Sequence, residues 1–200
     1  LLKSQGYKTA AIGKWHLGMG WKSMMVKPAE KIKAGKTMAF KPSAFDWSKA
    51  IPNGPTSIGF DSYFGDGVIN FPPYCWIEND RVVEPPTEML DLRDSQPLEG
   101  NWECRPGPAV KGWDIYDVLP TLTKRAVSFI NKQKKDEAFF LYFALPAPHA
   151  PIVPNEEFRG KTEAGAYGDF VFQIDWVAGQ VLSALEAKGL KDNTIVIFTA

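Results

Sequence analysis

The chain's two histidines, His16 and His149, each follow a short apolar run, and Lys14 precedes the first of them by two positions. A lysine ammonium supplies a compact positive charge, and an imidazole gives or takes a proton near neutrality. Together they suit chemistry on an anion, where one group neutralises charge and another moves a proton. "GYKTAAIGKWHLG", residues 6–18, carries the first pair, and "FFLYFALPAPHAP", residues 139–151, carries the second imidazole.

Such side chains work only if the backbone positions them. In open α/β sheets ligands bind in crevices at the carboxyl ends of the strands, which is where all three residues are expected. If the extended conformation persists through residues 14–16, Lys14 and His16 share one side and Trp15 faces the other, into packing. Pro146, Pro148 and Pro151 fix their own φ and push Leu145, Ala147 and Ala150 toward extended conformations, so the loop holding His149 is stiff. Taken singly, Lys14 reads more simply as a solvated loop charge and His16 as a satisfied, partly buried histidine, and His149 reads also as a turn residue. Their joint placement at strand ends is what makes a site of them.

The elements follow from periodicity. "KTAAIG" (8–13) reads as a strand running into a loop, and "AFFLYFAL" (138–145) as a central strand covered on both faces. "NTIVIFTA" (193–200) reads as another buried strand. Asp117 is placed to cap a helix that tolerates Pro120 in its first turn and buries Leu119, Leu122, Ala126, Phe129 and Ile130. Val171, Ile174, Val177, Ala178, Val181, Leu182 and Leu185 mark the apolar face of a second helix, closed by Gly189. Helices alternating with apolar strands predict an α/β fold around a largely parallel sheet. "CWIENDRVVEPP" (75–86) predicts a hairpin turning at Asn79 and Asp80. "GFDSYFGDG" (59–67) reads as turns around aromatic anchors, with Asp61 and Asp66 as turn formers rather than metal ligands. Residues 21–55 and 85–113 read as irregular excursions, and long excursions are commonly functional.

Twenty-three basic and twenty-three acidic residues cancel, leaving no net field to gather nucleic acid or an anionic membrane. No apolar run of about 18 residues suggests a transmembrane helix. Asp169 and Asp175 make no convincing metal set, so no metal ligands are assigned; no CxxC, HExxH, P-loop or GxSxG pattern occurs. Cys75 and Cys104 are too few for a disulfide framework. "LLKSQG" reads as a helical turn closed by Gly6 and "TIVIFTA" as a strand in progress, so the chain is expected to be an internal piece of a longer protein.

"GYKTAAIGKWHLG" closely resembles the second signature of the sulfatases. "GFDSYFG", "FFLYFALPAPHAP", "GAYGDFVFQIDWVAGQVLSALEAKGLKDNT" and "TIVIFTA" follow in that family's order and spacing. The resemblance implies an alkaline-phosphatase-like α/β sandwich with helices on both faces of its sheet. Residues 1–200 would be the central part of the N-terminal catalytic domain. It also implies sulfate ester hydrolysis, on a sulfated small molecule or saccharide, by a formylglycine made from an upstream Cys or Ser by a formylglycine-generating enzyme, with calcium neutralising the sulfate oxygens. Carried over by position, Lys14 contacts sulfate and the formylglycine oxygen, His16 assists the formylglycine's proton transfers, and His149 binds sulfate near the leaving oxygen.

Neither cysteine stands in a C-x-P-x-R context, so the nucleophile is expected upstream, with calcium ligands upstream and in a "DNG" motif just downstream. The 200 residues alone are expected neither to bind calcium in the family manner nor to turn over. Family members are commonly lysosomal, periplasmic or secreted. A phosphodiesterase or phosphonate hydrolase of the same superfamily, and a non-catalytic binder of sulfated glycans, are the alternatives. Trp21, Trp47, Trp76, Trp102 and Trp113 lie in or beside irregular segments, where they would serve as sugar-stacking faces or as core.

Overall fold

The computed structural model describes residues 1–93 and 99–199. β1 (Lys8–Lys14) is followed by the hairpin of β2 (Lys31–Ala34) and β3 (Thr37–Phe40), by β4 (Ser62–Gly67), and by the hairpin of β5 (Ile77–Glu78) and β6 (Arg81–Val82). β7 (Glu88–Leu90) and β8 (Gly107–Ala109) then pair with each other, and α1 (Val118–Asn131), β9 (Phe139–Ala144) and α2 (Gly165–Ala187) complete the order. Five strands form the main sheet in the order β6-β5-β4-β1-β9. β1 runs parallel to both β4 and β9, while β5 and β6 add an antiparallel margin. The carboxyl ends of β1, β4 and β9 therefore meet at one pole of the sheet.

Alternation along β1 divides the core. Ile12 and, on β4, Phe64 face α1 and α2, where Leu119, Leu122, Ala126, Phe170 and Val177 are buried. Ala11 and Tyr63 face the opposite way, toward Trp15, Met24, Ile51, Cys75 and Ile77. Both helices thus cover one face, and this chain supplies one of the two helical layers expected. The other face is covered by the segment after β1. Complete burial of Met24 and Ile51, at about 2 kcal/mol each, makes that segment a packed layer.

Several sequence expectations need correction. "GFDSYFGDG" holds a central strand, β4, because Tyr63 and Phe64 anchor opposite faces of the sheet although no β-branched residue is present. β9 is an end strand rather than a central one; it pairs with β1, and its outer residues Phe140 and Tyr142 are exposed beside Phe60. Residues 194–199 form no strand and pair with none among the described residues, leaving Ile195 and Ile197 solvated, and Ala200 of the expected strand lies outside the described residues. α2 buries Phe170, Gln173, Ile174, Val177, Ala184 and Leu185, whereas Val171 and Leu182 are exposed; the helix is apolar nearly all round, and the stripe cannot be picked from composition. The side chain at Asp117 makes no cap bond; Asp114 instead accepts from the Tyr116 amide one short turn earlier. Both excursions contain strands, β2–β3 in one and β7–β8 in the other.

Carboxylates tie the loops to this frame. Asp61 accepts hydrogen bonds from the Thr9 amide and hydroxyl at the start of β1. Asp169 on α2 accepts from the amides of Gly160, Lys161 and Thr162, which fixes the loop leading into the helix.

Gly13, at φ 112°, sits where a Cβ would lie 1.9 Å from the Ala144 carbonyl oxygen of β9. Gly13→Ala is expected to cost on the order of 3–5 kcal/mol and lower the melting temperature of the intact protein by roughly 10 °C or more. A thermal melt within two degrees of wild type would contradict this packing.

Candidate active site

The pole where β1, β4 and β9 end is built around an irregularity. The β1–β4 register shifts between Ile12 and Lys14, with Lys14 opposite Gly67. The amides of Trp15 and His16 then both donate to the Gly67 carbonyl, at 3.0 and 3.2 Å. This bulge turns the chain, and His16 takes φ 50°. The extended conformation does not persist through residues 14–16, so the alternation expected to place Lys14 and His16 on one side does not apply. Trp15 is buried against Phe60, as expected, and the His16 side chain is exposed. Among the described residues no hydrogen bond joins the His16 imidazole to Lys14 or His149.

Lys14 is half-buried at the end of β1. Desolvation lowers its pKa, while the carboxylates of Asp66 and Glu103 push it back up. His149 lies in the proline loop after β9, where its Nδ1 donates to the Ala150 carbonyl at 2.6 Å. That bond directs the other ring nitrogen outward, and Nε2 stands 4.0 Å from the Glu103 carboxylate. Glu103 thus faces both Lys14 and His149, and it draws them into one electrostatic cluster.

Sequence reasoning missed Glu103 and misread Asp66. Glu103 lies on a 3₁₀ turn in an irregular segment, where no periodicity points to it. Asp66, read as a turn former, is inside β4, only 3% exposed, and neither carboxylate oxygen has a partner in another residue. Burial pushes its pKa up to about 6, against the pull of its own amide and of Lys14. Tyr63 and Cys75 also face it, and burial raises both of their pKa values further out of the neutral range. A buried carboxylate without a partner is costly, and among the described residues the one cation acting on it is Lys14.

The cluster can hold an anion between an ammonium and an imidazole. It does not supply a metal centre: among the described residues no group of three or more His, Cys, Asp or Glu could hold a metal ion. Both cysteines are buried, free thiols. The donor set for calcium is therefore not met by these residues.

The parallel centre, its antiparallel margin and the polar pole define an α/β fold of the alkaline-phosphatase-like kind. A solved structure reported for the glycosaminoglycan-metabolising core genetic locus of Bacteroides thetaiotaomicron superposes with a TM-score of 0.70 at 27% identity, covering 96% of this chain and 42% of that one. A second, in complex with neocarrahexaose, superposes at 0.53 with 22% identity and bears on the fold alone. All 200 residues match the sulfatase family, and the chain belongs to it. It is 32% identical over its whole length to an N-acetylgalactosamine-6-O-sulfatase of Bacteroides thetaiotaomicron and 30% identical to the human N-acetylgalactosamine-6-sulfatase. It spans 41% of the first protein and 31% of the second, less than half of either. Human arylsulfatase D is 42% identical over 79 residues, 40% of this chain. Sulfatases in general depend on calcium and formylglycine.

Because the folded-state pKa of Asp66 lies near 6, above the ordinary 3.8, the unfolded chain gives up this proton first as pH rises. Stability is then lost between about pH 4 and 6, by up to about 3 kcal/mol. Asp66→Asn is expected to melt above wild type at pH 7.5, with the gap closing below pH 4. A variant melting lower than wild type at pH 7.5, with the same pH slope, would show that the carboxylate is satisfied.

Proposed function

We propose that these residues form the central part of the N-terminal catalytic domain of a sulfuric ester hydrolase acting on a sulfated carbohydrate. The observation carrying this reading is the convergence of Lys14 and His149 at one strand-end pole. In this reading the Lys14 ammonium binds a sulfate oxygen and neutralises charge that grows as the ester bond breaks. His149, held by its Nδ1 bond to Ala150, presents Nε2 to the sulfate and to the leaving oxygen, where it binds and then supplies a proton. His16, exposed beside the bulge, assists proton transfer at the attacking group. Calcium and the formylglycine nucleophile belong to residues outside those described. The carbohydrate assignment is supported by the names of the full-length relatives.

The test uses the intact protein, co-expressed with a formylglycine-generating enzyme and assayed on an aryl sulfate and on N-acetylgalactosamine 6-sulfate. Lys14→Ala and His149→Ala are each expected to lower kcat/KM by about 10²–10⁴ without loss of folding. A matured, folded protein inert on sulfates but active on phosphate diesters would move the function to a neighbouring member of the superfamily.

A further inference from the structure

The two excursions meet beside the pole and enclose a cavity of about 410 Å³, within the range of small-molecule sites. Thr37 at the start of β3 forms one edge, and Asn70, Phe71, Arg93 and residues 102–106 form the rest. Glu103, which faces Lys14 and His149, is part of its wall. The cavity therefore opens next to the place where the scissile sulfate is proposed to sit.

Its chemistry is that of a site for an anionic sugar. Trp102 is 74% exposed, and it differs in this from the other tryptophans of the irregular segments. Trp21 packs edge-on against Trp47, and Trp76 is stacked between Phe64 and Trp113, so those four are used in packing. An exposed indole beside a polar cavity offers a flat face to the C–H side of a pyranose. Arg105 lies over the Phe71 ring at 3.9 Å and meets no carboxylate within ion-pair distance among the described residues, whereas Arg93 is held by Asp91. Cation–π contact leaves the edge of the Arg105 guanidinium free to donate a bidentate pair to an anion. Asn70, only 3% exposed, borders the cavity with a buried amide oxygen that has no hydrogen-bond partner among the described residues.

We infer that this cavity is a second sugar subsite, in which Trp102 stacks on the residue next to the sulfated one and Arg105 binds its anionic substituent, a carboxylate or a second sulfate. The inference rests on the sulfatase reading of the pole and narrows its substrate to an anionic oligosaccharide. A second cavity, of about 370 Å³, shares Thr37, Arg105 and Pro106 with the first, so the groove continues away from the pole.

The test compares kcat/KM of the intact, matured protein on N-acetylgalactosamine 6-sulfate with that on two 6-sulfated disaccharides, one carrying a uronate and the other a second sulfate. Trp102→Ala and Arg105→Gln are expected to raise KM for the disaccharides by about 10–100-fold and to leave the monosaccharide within about twofold. Arg105→Lys should restore part of the loss, which a packing defect would not allow. The more affected disaccharide names the anionic group. Equal losses on monosaccharide and disaccharides, or none on either, would overturn the subsite. Calorimetry with the desulfated uronate disaccharide separates the two readings. Arg105-dependent binding by a protein inert on sulfates would uphold the subsite and reject the sulfatase reading, and absence of binding would reject the subsite.

Discussion

Three strands can end at one pole only because two glycines let their backbones touch. A Cβ on Gly13 would lie 1.9 Å from the Ala144 oxygen of β9, and a Cβ on Gly65 would lie 2.0 Å from the Gly13 oxygen. No other residue type fits this stack of β4, β1 and β9 without parting the sheet. The Tyr63 hydroxyl locks it further by donating to the Gly13 carbonyl at 3.0 Å. From this contact the rest follows: β1 bulges, Lys14 arrives opposite Gly67, His16 turns out to solvent, and the proline loop leaves β9 beside them.

The strand-end positions of Lys14 and His149 were legible in the sequence because an apolar run passing abruptly into Gly, Lys, Pro and His marks a strand end, and strand ends of parallel sheets share a pole. The positions that were not legible depend on what lies across the sheet. Asp61 and Asp66 stand five positions apart in the same glycine-rich phrase, yet one pins the amide of Thr9 and the other is buried beside Lys14. Nothing local distinguishes them; pairing of β4 with β1 does. α2 shows the same limit in another form. With apolar residues on nearly every side, its buried stripe is chosen by contact with α1, and Gln173 enters that stripe by exchanging hydrogen bonds with Asn155.

The electrostatics of the pole turn on a difference between two carboxylates. Asp66 is fixed in a strand and cannot leave, and its cost is tolerated only where a cation stays close. Its charge favours the ammonium form of Lys14, against the desolvation that lowers that group's pKa. Glu103 sits on an exposed turn and faces the same ammonium from the solvent side. For the proposed sulfate to lie between Lys14 and His149, Glu103 has to swing outward, which its position allows and that of Asp66 does not. One carboxylate thus favours the charge on the lysine, and the other stands where the sulfate is proposed to bind.

That arrangement also gives the irregular segments a reason to be long. Glu103, Trp102 and Arg105 are within four consecutive positions of one excursion, and Thr37 comes from the other. A wall built from loops varies without disturbing the strands that carry Lys14 and the loop that carries His149. On the proposed reading the sheet can therefore keep one chemistry at its pole while the excursions select the neighbouring sugar. The first excursion is tied to β1 and β4 through Met24, Ile51, Trp15 and Tyr63, and the second through Leu92, Cys104 and Ala109, which are buried with Ile12 and Phe64. The two excursions are thus anchored on opposite faces of the same glycine-packed strands, and in the proposed reading a substitution in the wall reaches the neighbouring sugar while β1 and the loop after β9 keep their places.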